Sequence, residues 1–174
     1  MRNFKMSLFI TTIRNFAQLP VQKRTLYVID VDETVLYFRE IPGSFWDDGR
    51  PKEEALREWR TLVQSSEPIP TDPIFLPIFL ERITHEESCI LFLTARDFDL
   101  SALTQAHLSK VHVRVPFELV CTSGDPKGKL LKWLWKHKYS RECDHIIFID
   151  DLLTNLEDVQ RELPDASAFL FNRS

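Results

Sequence analysis

"TLYVIDVDETVL", residues 25–36, runs four apolar residues, Leu26 to Ile29, directly into three carboxylates, Asp30, Asp32 and Glu33. The apolar part has strand length and no polar alternation, the pattern of a strand buried on both faces of a parallel sheet. Carboxylates at its end are costly to crowd together, because like charges a few ångströms apart raise each other's pKa. Read alone, Asp30 and Asp32 are equally turn residues, since Asp is common in turns. The rest of the chain decides between a turn and a site.

The same grammar recurs at "CILFLT" (89–94), "FELVCT" (117–122) and "HIIFID" (145–150), with "SAFLF" (167–171) as a fifth apolar run. Helical patterns lie between them at 73–86, 100–110, 126–138 and 153–163, the last with a stripe of Leu153, Leu156, Val159 and Leu163. Strands alternating with helices predict an α/β fold, a Rossmann-like parallel sheet flanked by helices. The segment 37–71 breaks the rhythm with Pro42, Gly43, Gly49, Pro51, Pro68 and Pro70 around one helical stretch, "PKEEALREWRTLVQ". Pro51 suits the first turn of that helix, and Glu53 and Glu54 suit its N-terminus. A small helical cap insertion after the first strand, within a single domain over residues 1–174, is the expected organisation.

Ligands of open α/β sheets bind at the carboxyl ends of the strands. Here those ends are Asp30-Val31-Asp32, Thr94-Ala95-Arg96, Thr122 running on to Lys127, and Asp150-Asp151. Oxygen ligands from Asp30 and Asp150 suit Mg²⁺, a hard ion that binds through one or two carboxylates plus phosphate oxygens. With the hydroxyl of Thr94 and the ammonium of Lys127, the rim offers what a phosphoryl group needs, a donor and a cation.

"DVDET" (30–34), "LTAR" (93–96), "GDPKGKLL" (124–131) and "IDDLLTN" (149–155) resemble, in order, the four motifs of the haloacid dehalogenase (HAD) superfamily. The approach from Met1 into "TLYVIDVDET" resembles a poorly characterised bacterial subgroup of HAD-like proteins. The resemblance implies a Mg²⁺-dependent phosphomonoester hydrolase with Asp30 as nucleophile, forming an aspartyl-phosphate. It makes Asp32 the general acid and base, its backbone carbonyl also a metal ligand. Thr94 would bond the phosphoryl oxygens. Thr34 would steady the turn and, with Arg96, face the substrate. Lys127 would neutralise nucleophile and phosphate, Asp150 would hold the metal, and Asp151 would support it or replace it. Lys129 competes with Lys127, which is favoured because Lys-Gly before the helix is the commoner family form. Glu33 stands where many relatives carry glycine, and Ile149 where many carry glycine before the acidic pair. Alternatives of other kinds are a non-catalytic metal-binding interaction module and a phosphotransferase. Arg96 reads equally as a surface partner of Asp97 or Asp99.

The remaining sequence restricts partners. At 44% hydrophobic, 28% charged and a net charge of −4, the chain has an ordinary globular composition with no global attraction to nucleic acid. "KGKLLKWLWKHKYSR" (127–141) mixes cations and tryptophans, and a helix with a solvated basic face accounts for it. The histidines lack ligand spacing, and Cys89, Cys121 and Cys143 read as buried thiols of a reducing, cytoplasmic compartment. "MSLFITTI" (6–13) is too polar for a secretory signal, and Phe9, Ile13, Phe16 and Ala17 fall on one helical face, predicting an N-terminal amphipathic helix. No apolar run approaches the roughly 20 residues of a membrane span. In "SFWDDGRP" (44–51), Phe45, Trp46, Asp47 and Asp48 either recognise substrate or pin the insertion down, and so short an insertion leaves room for a large or macromolecular phosphorylated substrate.

Overall fold

A computed structural model describes residues 9–173. In chain order it contains β1 (Ile10–Ile13), β2 (Thr25–Ile29), β3 (Leu36–Tyr37), α1 (Lys52–Ser65), β4 (Ile69–Pro70), α2 (Phe75–His85), β5 (Cys89–Thr94), α3 (Ser101–Lys110), β6 (Glu118–Cys121), α4 (Lys127–His137), β7 (His145–Asp150), α5 (Leu153–Glu162) and β8 (Ser167–Phe171). Six strands form one sheet in the order β1-β8-β7-β2-β5-β6, and every neighbouring pair in it is parallel. The α/β fold and parallel sheet expected from the apolar runs are therefore present.

β2 lies at the centre, and all five of its residues are buried. Successive strand side chains point to opposite faces, so Tyr27 and Ile29 join one apolar cluster and Leu26 and Val28 the other. The first cluster is covered by α1, α2 and α3 through Trp59, Phe79 and Leu108. The second is covered by α4 and α5 through Leu131, Leu156 and Val159. From β2 the chain moves outward to β5 and β6, then crosses back to β7 on the other side of β2. The strand order thus reverses at the crevice between β2 and β7, the place where such sheets bind ligands.

The N-terminal reading is corrected. Ile10–Ile13 is an edge strand paired in register with Ala168–Phe171 of β8, not a helix. Four β-branched residues, Ile10, Thr11, Thr12 and Ile13, favour extended backbone once a strand edge is available, and that pairing outweighs the helical spacing. Two residues of the supposed stripe, Phe9 and Ala17, are exposed. Phe16 is buried after a turn, its ring 5.7 Å from Phe79 and 5.2 Å from Phe171. The remainder of that helix, and most of "MSLFITTI", fall outside the described residues.

The insertion leaves and returns at one point, where β3 and β4 pair antiparallel with Leu36 opposite Pro70. Its helix α1 buries Ala55, Trp59 and Val63 on one face. Arg50 stacks on the buried Phe45 ring at 4.8 Å and forms ion pairs with Asp48 and Glu58, so much of "SFWDDGRP" fastens the insertion to itself. Trp46 meets Phe45 edge-on at 5.1 Å and stays half exposed. On α4, Trp133 is exposed and stacks on His137 at 4.8 Å, while Leu131 faces the core. The three cysteines are free thiols; Cys143 is buried, Cys89 and Cys121 partly so. Among the described residues no helix is long and apolar enough to cross a membrane.

Candidate active site

β2 and β7 run side by side, so their last residues bring Asp30 and Asp150 to the same edge of the crevice. The backbone N–H of Asp30 donates to the Ile149 carbonyl at 2.9 Å, tying the start of one loop to the end of the other strand. Lys127, the first residue of α4, reaches between them: its Nζ lies 2.6 Å from Asp30 Oδ1 and 2.7 Å from Asp150 Oδ2. Lys127 is 3% exposed and Asp150 is fully buried, so the bridge is made in a low-dielectric interior where Coulomb attraction is strong. Lys129, two residues further along α4, is exposed and takes no part.

Further bonds fix each member. Asp150 Oδ1 accepts from the Leu152 N–H at 2.9 Å, and Asn155 Nδ2 donates to both Asp150 oxygens at 3.1 and 3.0 Å. The Thr34 hydroxyl is buried, donates to Asp30 Oδ2 at 3.3 Å and lies 3.5 Å from Asp151 Oδ1. Between Asp32 and Thr34 the chain turns through Glu33 in the left-handed region, φ +61°. Glycine adopts that conformation without steric cost, which gives a physical reason for the glycine of the resembling motif. Glu33 is held there by Arg173 at 2.9 Å, whose guanidinium also stacks 3.6 Å from the Tyr37 ring centroid.

Asp30, Asp150 and Asp151 each offer a carboxylate oxygen within 4.8 Å of the others, a group that could hold a metal ion. Three carboxylates face one ammonium, and the imbalance registers in the ionisation of Asp30 and Asp151. Burial, then the charge of Asp150, push Asp30 up to about 7 against the pull of Lys127. Burial, then the charges of Asp30 and Asp150, push Asp151 up to about 9. Burial disfavours the charged form of Lys127, but the carboxylates of Asp30 and Asp150 outweigh it and hold the ammonium above its ordinary value. A further cation would relieve the excess negative charge, and an all-oxygen donor set is the chemistry of a hard divalent ion.

Asp32 is not part of that carboxylate group. Its two oxygens accept a fork from Arg96, at 2.9 Å from Nε and 2.7 Å from Nη2. The surface partnership considered for Arg96 does not form, because Arg60 of α1 takes both Asp97 and Asp99. The Arg96 side chain has no exposed surface. Its remaining nitrogen, Nη1, lies 3.1 Å from Thr104 Oγ1 and 3.1 Å from His107 Nδ1, both on α3. Thr94 is buried at the end of β5, its hydroxyl accepting from the Arg96 N–H at 3.3 Å. Asn155, Thr104 and His107 stand outside the residues to which the motifs give a role. Asn155 was legible in principle as the polar residue on the first turn of the helix after "IDD", whereas nothing in the spacing of His107 marks it.

No family model and no curated protein matches the sequence. Solved structures similar in fold include the following two. One, a crystal structure of a hydrolase from Streptococcus pneumoniae TIGR4, has a TM-score of 0.56 at 16% identity over 87% of this chain and 94% of that one. The other, a Pnkp1/Rnl/Hen1 complex, has a TM-score of 0.53 at 14% identity over 90% of this chain, which spans 50% of that protein's length. At these identities the likeness concerns the fold alone.

Proposed function

We propose that this chain is a Mg²⁺-dependent phosphomonoester hydrolase of the HAD superfamily, acting through an aspartyl-phosphate on Asp30. The observation that carries the reading is Lys127 bridging Asp30 and Asp150 at 2.6 and 2.7 Å beside Asp151. A nucleophilic carboxylate, a buried cation and a metal-sized group of carboxylates meet at one strand-end crevice, and the motif resemblance assigns the same residues.

The side chains of Asp30, Asp150 and Asp151 and the backbone carbonyl of Asp32 would hold the metal. When bound, Mg²⁺ would offset charge on the phosphoryl oxygens. Asp30 attacks phosphorus through one carboxylate oxygen; the bond from phosphorus to the ester oxygen breaks, and Asp32 gives that oxygen its proton. Water then attacks the phosphorus, Asp32 takes its proton, and the bond from the Asp30 oxygen to phosphorus breaks to release inorganic phosphate. Lys127 stays beside Asp30 throughout and opposes the negative charge that builds there. Thr94 supplies a hydroxyl at the rim.

Residues 37–71 act as a small cap within a single domain. Phe98 after β5, Leu152 and Leu153 at the start of α5, and Trp46 in the insertion are 78%, 53%, 48% and 51% exposed. These side chains offer apolar contact to a phosphorylated substrate larger than its phosphate group. The test is phosphate release from a panel of phosphomonoesters with Mg²⁺ and with EDTA, for the wild type and Asp30→Asn. Metal-dependent turnover that the substitution abolishes is the expected result; turnover undiminished in Asp30→Asn overturns the mechanism.

A further inference from the structure

The Arg96 guanidinium lies inside the protein with every nitrogen engaged. Nε and Nη2 grip the two oxygens of Asp32, and Nη1 is anchored on α3 by Thr104 and His107. Arginine has no acceptor, so His107 Nδ1 must be the unprotonated nitrogen of a neutral ring. Its surroundings agree: burial, then the neighbouring Arg96 charge, push His107 down to about 4. The guanidinium carbon also sits over the Phe38 and Trp59 rings, 5.8 and 5.9 Å from their centroids. Trp59 belongs to α1, and the next residue, Arg60, takes Asp97 and Asp99 on the chain just beyond Arg96.

We propose that Arg96 is a positioning residue for Asp32, aimed by Thr104 and His107 from α3 and closed over by Trp59 of the insertion. This rests on the hydrolase reading, in which Asp32 must place one oxygen near the leaving group and then near the attacking water. A two-pronged arginine fork fixes a carboxylate in plane and direction more tightly than a lysine would. A fork held from behind by α3 and α1 fixes it against the sheet. The insertion, on this account, sets the acid and base from behind as well as shaping the entrance.

The test separates acid placement from general damage. p-Nitrophenolate leaves without a proton, whereas an alkoxide needs one. In Arg96→Lys, first-turnover release of alcohol from an alkyl phosphate should fall about 100-fold and release of p-nitrophenolate from its phosphate ester no more than about threefold. His107→Leu should give the same selective loss, smaller in size, and His107→Asn, whose side-chain oxygen can stand where Nδ1 stands, should restore it. Equal losses on the two esters overturn the proposal. A readout independent of turnover is the Arg96 Nε–H resonance in the full chain. It should exchange slowly with solvent, move in Asp32→Asn and in His107→Leu, and stay put in Asp30→Asn. A resonance indifferent to Asp32→Asn overturns the pairing itself. Wild type inactive on both esters overturns the hydrolase reading and the catalytic half of the proposal, and the resonance then decides the pairing alone.

Discussion

The backbone N–H of Gly128 donates to the Asp158 carboxylate at 2.7 Å, and a Cβ on Gly128 would lie 2.6 Å from the Asp158 carbonyl oxygen. The N-terminus of α4 is thereby seated directly against the backbone of α5, with a carboxylate at the positive end of the helix. Lys127 is the preceding residue, so the closeness of this contact sets where its ammonium begins its reach.

Gly128→Ala should therefore act on stability and site together. The obstructing atom is backbone and cannot swing aside, so overpacking should cost about 1–3 kcal/mol, read from urea unfolding. Turnover should fall as well, because α4 must shift and carry Lys127 with it. Unchanged stability with unchanged turnover would mean that α4 and α5 separate freely.

Lys127→Met removes the one cation between two buried carboxylates. Breaking a buried ion pair from one side costs about 3–5 kcal/mol, and saturating Mg²⁺ should recover part of the lost thermal stability. Loss of charge stabilisation at the phosphoryl group should lower kcat by about 10²–10³-fold. Lys129→Met, a change at an exposed position, should do neither.

Metal binding should release protons. In the metal-free protein Asp30 is pushed up to about 7 and Asp151 up to about 9, so near pH 7 these groups carry protons that a metal must displace. The apparent Mg²⁺ affinity should tighten as pH rises from 6 to 9, with the metal competing less and less against protons. Calorimetric titrations in buffers of different ionisation enthalpy measure the protons released; Asp151→Asn should reduce them, and a proton count of zero in the wild type would contradict the raised pKa values.

His107 should make the fold acid-sensitive in a defined window. Its pKa falls from the ordinary 6.5 to about 4 on folding, so between those values the unfolded chain binds a proton that the native state refuses. Stability supplied by the neutral ring is thus complete above pH 6.5 and drains away as pH falls towards 4. Subtracting the His107→Asn profile from that of the wild type cancels the acid sensitivity the two proteins share and leaves the contribution of the histidine. The loss in urea midpoint from pH 7 to 5 should be smaller in His107→Asn.

The apolar runs 25–30, 89–94, 117–122, 145–150 and 167–171 and the helices between them were legible in the sequence because burial on two faces, or on one helical face, leaves a local signature. The strand-end motifs were legible for a related reason: a parallel sheet puts all its carboxyl ends on one rim whatever the order of its strands. β1 escaped that reading because "ITTI" has the composition of a strand but the spacing of a helix, and the distant partner β8 decided between them. The strand order likewise decided that Asp30, Asp150 and Asp151 share one crevice. The motif resemblance already favoured Lys127 over Lys129, and the seating of α4 on α5 supplies the physical reason, directing one side chain inward and the other to solvent. The link from Asp32 to Arg96 joins residues 64 positions apart, and no periodicity records a contact of that kind. Local sequence determines which residues want to be buried and where chains turn; only the assembled sheet brings particular charges close enough for their energies to depend on one another.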